Sequence, residues 1–538
     1  MKKSKPLDDA LRYADLMVTK DGPRLIPSQY QIDLFKFIEA RKGSAVVQAV
    51  AGSSKTTSIV AGAKLLPINE KAVFLAFNKA IADELARKLP PHVKAMTTHS
   101  LCFRALNSSG QRLKVDIDKL NRLMNDLLTI PEKALRGQIR KLVSMAKANG
   151  VIPHSATKLG AVGLLEDTDE FWDRTIATYS IEFENTWQES TAIDRARDLL
   201  KLCLEGKDGQ IDFDDMLWLP VVYKMAFPKF DWIFVDEAQD LAPIQHEVLR
   251  RIAKPASHVI GVGDSFQSIY QFRSAMSDSM DVLAKSFNAK VLPLSICYRC
   301  AKLIVEEAKA IVPQIEPSPT AEDGIVRDSL ASISPDPKEQ FAAFTPDAAV
   351  LCPYNAPMIE AAYIFIRRKI ACRVLGREIG EGLIKLVRKL ERDGATNVAQ
   401  IEKALQAWYY EQLERLASKE AQIAALTDKV ETLNVFLAEL PANETVEKLT
   451  REIQNLFTDS ATGYLTLSTI HRGKGLEYDK VFFLNAHFLE GDTRRGKKLQ
   501  AWEIQQRANL RYVAITRARK ELIFCTSEEL KAASEKAA

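Results

Sequence analysis

Short runs of nearly continuous apolar residues recur along the chain, separated by stretches with helical periodicity. Apolar strands of this kind are typical of parallel sheets that helices cover on both faces. The alternation predicts the doubly wound α/β class, with one parallel sheet before about residue 295 and a second one after it. The six runs are residues 44–50, 72–77, 232–235, 258–262, 348–351 and 481–484.

Two long segments break this alternation because they are predicted to be almost wholly helical. Residues 105–204 are rich in Leu, Lys and Arg and predict a helical insertion in the first sheet domain. Residues 381–460 predict a second insertion, because apolar residues repeat there at heptad spacing. The two offset rows are Leu416, Ile423, Val430 and Leu437, and Leu426, Leu433 and Leu440.

The second insertion is expected to fold as a helical hairpin. Pro441 stops the heptad helix, and Asn443 can cap the helix that follows. The apolar seam could bind a protein partner or could pack within the hairpin itself. Self-packing is the favoured interpretation.

Composition places the chain among ordinary globular proteins. Apolar residues make up 46% of its 538 residues and charged residues 27%, and a chain of this length is expected to form several domains. Lys and Arg number 74 against 70 for Asp and Glu, so the net charge of +4 only weakly indicates a polyanionic partner.

The cysteines and the apolar runs predict a cytoplasmic protein. Seven scattered cysteines fit a reducing compartment better than a disulfide framework. Cys297 and Cys300 form a CxxC pair, but without a second pair or a histidine cluster a metal site is the weaker interpretation. No apolar run reaches the ~18 residues that could span a bilayer, so no membrane association is expected.

A phosphate-binding loop is predicted between the first strand and the next helix. A loop there directs backbone N–H groups and a helix N-terminus at phosphates. Lys55 would neutralise the β- and γ-phosphates, and Thr56 would bind Mg²⁺ through its hydroxyl. The pattern is imperfect, because Ser54 stands where a glycine is usual, and a chance serine-rich turn is the alternative. The candidate ATP-binding residues are Ala51, Gly52, Ser53, Ser54, Lys55, Thr56 and Thr57.

A pair of acidic residues completes the predicted site. The apolar strand 232–235 delivers Asp236 and Glu237 at its carboxyl end, where ligands of open α/β sheets bind. Asp236 can hold Mg²⁺, and Glu237 can orient and deprotonate the attacking water. With Gln239 and Asp240 the sequence reads Asp-Glu-Ala-Gln-Asp, which makes solvated strand-end acids the weaker alternative.

These motifs, in this order, resemble those of superfamily 1 DNA helicases of the UvrD, Rep and PcrA type. The resemblance covers nearly the whole chain apart from the two insertions. It implies two RecA-like domains of the P-loop NTPase class, with ATP bound between them. The implied domains are residues 1–104 with 205–295, and 296–380 with 461–538. In the family's third motif, Gln267 would sense the γ-phosphate, and Tyr270, Phe272 and Arg273 would contact DNA.

The resemblance also assigns roles to residues of the second domain. Arg299 and Arg517 would be arginine fingers, and together with Lys55, Glu237 and Gln267 they complete the expected catalytic set. Tyr298 could stack on the adenine, and Glu477 would contact the ribose. Near the N-terminus Gln31 resembles the family's adenine-reading residue, with Gln29 as a nearby competitor.

Contacts with single-stranded DNA are expected from four motifs. Bases stacked on aromatic side chains contribute ~1–3 kcal/mol each whatever their identity, which suits a motor that ignores sequence. Phe77 stands one place before Asn78, where the family has its Phe two places before, so its stacking role is open. Besides the third motif, the candidates are Phe77, Asn78, Thr98, His99, Thr469 and His471.

The sequence therefore predicts an ATP-dependent DNA helicase with Mg²⁺ as cofactor, acting on single-stranded DNA and duplex junctions. Family resemblance implies 3′ to 5′ polarity and a role in replication, repair or recombination. One alternative is a DNA-stimulated translocase that removes proteins from DNA with little unwinding, which the short second insertion motivates. The other is a nucleotide-gated DNA-binding module whose phosphate loop Ser54 has inactivated.

Overall fold

The chain divides into two compact units, Met1–Ile296 and Cys297–Ala538, in a computed structural model. The structure describes residues 6–17, 26–108, 113–153, 165–178, 181, 183, 185–206, 209–269, 278–416, 420–458, 463–494 and 497–537.

The first unit is built on a sheet of six parallel strands in the order β3-β2-β6-β7-β1-β8. Its four predicted strands are all present, and β3 and β8 are additional. A further pair, β4 and β5, forms a separate parallel ribbon. The strands are β1 Ala45–Ala49, β2 Ala72–Ala76, β3 Val93–Thr97, β4 Lys114–Val115, β5 Gln210–Ile211, β6 Phe230–Val235, β7 Ala253–Gly263 and β8 Lys290–Leu294.

Several helices of the first unit begin at polar caps, and α2, α3 and α4 pack apolar side chains against the sheet. Ser28 and Gln31 form a capping box at the start of α2, and Asn78 caps α4. The helices are α1 Pro6–Ala14, α2 Gln29–Glu39, α3 Lys55–Ala63, α4 Lys79–Lys88, α5 Thr98–Asn107, α6 Lys119–Leu127, α7 Arg136–Asn149, α8 Asp169–Thr178, α9 Thr186–Glu205, α10 Phe213–Val222, α11 Pro243–Ile252 and α12 Ser279–Ser286.

Residues 105–204 are mainly helical where the structure describes them, and α6 to α9 lie in this segment. Their apolar side chains, such as Ile139 and Leu199, share one core with Trp218 of α10 and with Val235 at the end of β6. This shared core connects the helical segment to the strand that carries the acidic pair.

The second unit contains a seven-stranded parallel sheet in the order β11-β19-β16-β12-β15-β13-β14. The prediction of two parallel-sheet α/β domains is thereby confirmed. The strands are β9 Ile296–Cys297, which starts at the unit boundary, β10 Glu316–Pro317, β11 Ile325–Arg327, β12 Ala348–Cys352, β13 Cys372–Leu375, β14 Phe457–Thr458, β15 Leu465–Thr469, β16 Tyr478–Leu484, β17 Thr493–Arg494, β18 Lys497–Lys498 and β19 Ala518–Cys525.

The segment predicted as a helical hairpin, 381–460, contains most of one helix and three further helices. Gly394, with φ 112°, follows the end of α16 and separates it from α17. Thr445, not Asn443, caps α19, because its hydroxyl accepts the Lys448 N–H. The helices of the unit are α13 Lys302–Lys309, α14 Pro337–Ala342, α15 Asn355–Arg367, α16 Arg377–Arg392, α17 Val398–Leu416, α18 Glu420–Ala438, α19 Val446–Leu456, α20 Ile470–Gly473, α21 Ala501–Ile515 and α22 Ser527–Lys536.

The heptad row of α18 packs into the core of the second unit. Val430, Leu433 and Leu437 are buried in the same cluster as residues of β12 and β13. Asp428 of α18 also accepts hydrogen bonds from the backbone N–H groups of Asn355 and Ala356 at the start of α15. The apolar seam is therefore buried, but it packs against the sheet of the unit and not only within the predicted hairpin.

All seven cysteines are free thiols, and all are buried. Among the residues that the structure describes, no helix combines the length and the apolar character that crossing a bilayer requires.

Candidate active site

Three neighbouring strands of the first unit bring the predicted chemistry to one edge of the sheet. In the sheet order β6-β7-β1, the acidic pair follows β6, the third motif follows β7 and the phosphate loop follows β1. Because the strands are parallel, their carboxyl ends lie at the same edge, where α/β folds bind ligands.

The phosphate loop turns between β1 and α3 through two residues with positive φ. Gly52 has φ 67° and Ser54 has φ 59°. Ser54 therefore adopts the left-handed conformation that glycine would adopt without strain. The buried hydroxyl of Ser53 has no hydrogen-bond partner among the described residues, which suits a cradle for phosphate oxygens.

Thr56 and Asp236 lie in direct contact, with 2.7 Å between Thr56 Oγ1 and Asp236 Oδ2. Burial, with the adjacent Glu237, raises the pKa of Asp236 to about 6. A hydroxyl beside a desolvated carboxylate is a donor set that suits Mg²⁺, and a bound cation would relieve the charge that burial disfavours. The residues therefore fit the predicted metal site.

Glu237 is held next to the phosphate loop by its backbone and its side chain. Its φ of 51° is left-handed, and its Oε2 lies 3.8 Å from Lys55 Nζ. Gln239 Nε2 donates to the same Oε2 at 2.5 Å. These contacts orient the carboxylate predicted to act on water toward the lysine predicted to bind phosphate.

Gln239 extends the contact from Glu237 to the third motif. Its Oε1 accepts the backbone N–H of Asp264 at 3.0 Å, and Asp264 Oδ2 accepts from Gln267 Nε2 at 2.7 Å. Gly263 makes this approach possible, because a Cβ at that position would lie 2.4 Å from Gln239 Oε1. A chain of hydrogen bonds thus links the proposed base to the proposed γ-phosphate sensor.

A buried histidine supports the turn that carries Glu237. His246 Nε2 lies 2.9 Å from Ser279 Oγ, which donates to the Ala238 carbonyl at 2.7 Å. Burial, with the nearby Arg250, lowers the pKa of His246 to about 4. No local sequence pattern marks His246, Ser279 or the bridging role of Gln239, because only the fold brings α11 and α12 to this turn.

Gln31 lies beside the phosphate-loop helix rather than at the surface. Its Nε2 donates to Ser58 Oγ at 2.9 Å, and its Oε1 accepts the Ser28 N–H at 2.9 Å. Gln29 is exposed and donates to Asp33. Adenine recognition by Gln31 stays a prediction.

In the second unit, Arg299 is only half-buried, whereas Arg517 is fully buried. Arg299 Nε donates to Glu477 Oε2 at 2.7 Å, and Tyr298 next to it is exposed. Arg517 donates to the Val513 and Leu476 carbonyls at 3.0 and 3.1 Å. Of the two predicted arginine fingers, only Arg299 has a side chain that is partly exposed to solvent.

Comparison with known proteins shows where these motifs belong. A family model described as the UvrD/REP helicase N-terminal domain matches residues 33–288, and one described as the UvrD-like helicase C-terminal domain matches residues 373–529. The chain belongs to the UvrD-type superfamily 1 helicases. The N-terminal match includes the phosphate loop, the acidic pair and the third motif, and the C-terminal match includes Glu477 and Arg517.

Curated relatives of this UvrD-type chain include "F-box DNA helicase protein 1" of Schizosaccharomyces pombe, 23% identical over 502 residues, which are 89% of this chain and 55% of the relative. "F-box DNA helicase 1" of Gallus gallus is 26% identical over 90% of this chain and 47% of its own. "ATP-dependent DNA helicase PcrA" of Bacillus subtilis is 25% identical over 51% of this chain and 38% of its own. The chain spans about half the length of the first two.

The DNA-contact candidates of the UvrD-type chain differ in accessibility. In the first unit Phe77 is exposed, and Asn78 is exposed while capping α4 through the Ile81 N–H. Thr98 is buried, and burial lowers the pKa of the neighbouring His99. Phe77 and Asn78 can therefore be reached by a DNA strand on the surface, whereas Thr98 has little exposed surface.

Two candidates lie in the second unit, at the junction of β15 and α20. Thr469 is buried at the end of the strand, and His471 is half-buried in the first turn of the helix. Tyr270, Phe272 and Arg273 lie outside the described residues. The DNA roles of all these residues stay predictions.

Proposed function

We propose that this protein is an ATP-dependent DNA helicase that moves along single-stranded DNA from 3′ to 5′. The observation that carries the proposal is the position of Glu237, which is joined through Gln239 to the third motif and lies 3.8 Å from Lys55 of the phosphate loop. A carboxylate so placed suits the activation of water beside bound phosphates.

Each residue of the first unit then has a separate task. The N–H groups of the loop and Lys55 bind the phosphates, and Glu237 orients water and takes its proton during attack on the γ-phosphorus. Gln267 senses the γ-phosphate through its amide, and Asp264 fixes the orientation of that amide. Adenine stacking by Tyr298, ribose binding by Glu477 and charge stabilisation by Arg299 and Arg517 stay predictions.

Mg²⁺ is the proposed cofactor. Thr56 and Asp236 would hold it, and when bound it neutralises charge on the phosphates. Thr56→Val should therefore weaken stabilisation of the protein by Mg²⁺ with an ATP analogue, measured as a shift in unfolding temperature.

ATP turnover with and without single-stranded DNA tests the proposal. The wild-type protein should hydrolyse ATP faster when DNA is present. Glu237→Gln should reduce turnover by a factor of ~10²–10⁴, the usual contribution of a general base, while ATP still binds. Glu306→Gln, at an exposed position of α13 in the second unit, is the matched control. A wild-type protein that binds ATP but releases no phosphate would instead support the nucleotide-gated module.

A translocase with little unwinding is the second candidate. What favours it is the burial of α18 and α19 in the core of the second unit, through Leu433, Leu449 and Ile453. Helices that are buried in the core of the unit have less surface available for contact with a DNA duplex. Rapid separation of a duplex with a 3′ tail would exclude this candidate, and a 5′-tailed duplex tests the polarity.

Partners and pathway belong to the proposal as well. Single-stranded DNA and duplex junctions are the proposed substrates, in replication, repair or recombination. A protein partner at residues 381–460 stays a prediction, for which the exposed Tyr410 of α17 offers a point of contact.

A further inference from the structure

A groove in the first unit runs from the catalytic acids to a group of cations. Its volume of about 720 Å³ is roughly twice that of the cavity beside His99, at about 350 Å³. Thr56, Asp236 and Glu237 line one end, and α3 and α4 form its sides.

The far end of the groove carries positive charge. Lys64, at the end of α3, and Arg87 and Lys88, in the last turn of α4, line it together with one carboxylate, Glu84. Glu84 forms an ion pair with Lys88. Lys64 lies eight residues after Thr56, which corresponds to about 12 Å along the helix.

Lys64 is the most informative of these cations. Burial lowers its pKa, and its Nζ donates to a neutral acceptor, the Leu16 carbonyl, at 2.8 Å. Among the described residues, no carboxylate lies within ion-pair distance of Lys64. A partly desolvated ammonium whose hydrogen-bond partner is uncharged is stabilised when a diffusible anion binds beside it.

We propose that this groove binds inorganic phosphate and is the route by which the product leaves the hydrolytic site. The inference rests on the proposed function, because that reaction produces phosphate at the end lined by Asp236 and Glu237. The cations at the far end of the groove attract the phosphate anion. Release along the groove leaves the diphosphate at the loop.

The N-terminal segment lies at the mouth of the groove. Leu16 and Met17 line it, and the Leu16 carbonyl accepts a hydrogen bond from the Lys64 ammonium that would bind phosphate. Tyr13 anchors the segment to α2 by donating to Glu39 at 2.8 Å. Phosphate at Lys64 therefore competes with an intramolecular hydrogen bond, which favours a weak, transient site.

Phosphate binding can be tested without hydrolysis. In a Lys55→Ala protein, which lacks the lysine of the phosphate loop, inorganic phosphate should raise the unfolding temperature relative to chloride at equal ionic strength. Adding Arg87→Gln and Lys88→Gln, both exposed, should raise the phosphate concentration that gives half of this stabilisation at least fivefold. Adding Lys64→Gln should do the same. Adding Lys290→Gln, an exposed lysine elsewhere in the unit, should not. Equal phosphate effects in all these proteins would overturn the site.

Product release is tested by comparing bond cleavage with phosphate release in a single turnover. Arg87→Gln with Lys88→Gln should slow release at least fivefold while cleavage stays within twofold, and a parallel change in both rates would overturn the exit route. A wild-type protein that never cleaves ATP refutes the proposed function, whereas the phosphate-binding result stands by itself. If the same variants weaken single-stranded DNA binding as strongly as phosphate binding, the groove belongs to the DNA path and the inference is wrong.

Discussion

The amide nitrogen of Gln239 lies 2.5 Å from Glu237 Oε2, while the amide oxygen of the same side chain accepts the backbone N–H of Asp264 at 3.0 Å. One side chain thus connects the loop after β6 with the loop after β7. Because Glu237 has a left-handed backbone conformation, the amide also helps to hold a turn that is strained by itself.

Gln239→Leu should lower kcat for ATP hydrolysis about 10- to 100-fold, with KM changed less than about threefold. The substitution keeps the approximate size of the side chain but removes hydrogen bonds to a charged group, which contribute about 1.5–3 kcal/mol. Steady-state kinetics with saturating single-stranded DNA would measure both parameters.

The control is Gln245→Leu, which removes one hydrogen bond to the Ala242 N–H at the start of α11. It should reduce stability without reducing kcat. Equal losses of kcat in both variants would show that Gln239 serves only the fold of this region.

Ser54→Gly should stabilise the first unit by about 0.5–1 kcal/mol. Serine at φ 59° is strained by about 1–2 kcal/mol, and the greater unfolded-state entropy of glycine offsets part of the gain. Chemical unfolding of the two proteins would measure the difference. Ser53→Gly, at a position without positive φ, should destabilise instead, and stabilisation by both substitutions would contradict the explanation.

Ser54 also shows how much of the site could be predicted from the sequence. The phosphate loop, Asp236 and Glu237 are local motifs at strand ends, so their positions follow from short apolar runs and spacing. The left-handed conformation of Ser54 was not predicted, and it explains why glycine is the usual residue at this position. The burial of Arg517 and the bridge by Gln239 depend on contacts between distant segments, which no local pattern records.

The fold was predictable to a similar degree. In the first unit the strands with continuous apolar residues were found, whereas β3, with the exposed Lys94, and β8, with Pro293, were missed because their patterns are mixed. In the second sheet only β12 and β16 were predicted, and β19 was missed although it ends in a short apolar run. In the second unit, Gly394 ends α16 inside a segment that was predicted as a hairpin. Pro441 correctly marked the end of the heptad helix.

Asp215→Asn should destabilise the first unit by about 3–5 kcal/mol. Asp215 is buried at 2.7 Å from Lys119 and 2.8 Å from Lys147, and removing its charge leaves ammonium groups buried with too few counter-charges. Burial by itself lowers the pKa of Lys147, yet nearby carboxylates hold it well above its usual range. Urea unfolding followed by the fluorescence of the buried Trp218 would measure the loss.

The matched control is the neighbouring Asp214→Asn. Asp214 accepts a hydrogen bond from Ser144 at 2.7 Å, and burial raises its pKa. Its charge is thus already disfavoured, so the substitution should cost less than about 1.5 kcal/mol, the net value of one hydrogen bond. Equal losses in the two variants would contradict the role of the lysine pairs.

The buried His246 should make the stability of the first unit rise with pH between about 4 and 6.5. Its folded pKa of about 4 lies below the ordinary 6.5, so the unfolded state binds more protons in this window. The difference corresponds to about 3 kcal/mol, absent below pH 4 and complete above 6.5. His246→Gln can keep the hydrogen bond to Ser279 but cannot titrate, so its stability should rise less over this interval.

Urea midpoints at pH 4.5, 5.5, 6.5 and 7.5 would measure both profiles, with the exposed His487→Gln as control. Parallel profiles for wild type and His246→Gln would show that His246 is not the group that titrates.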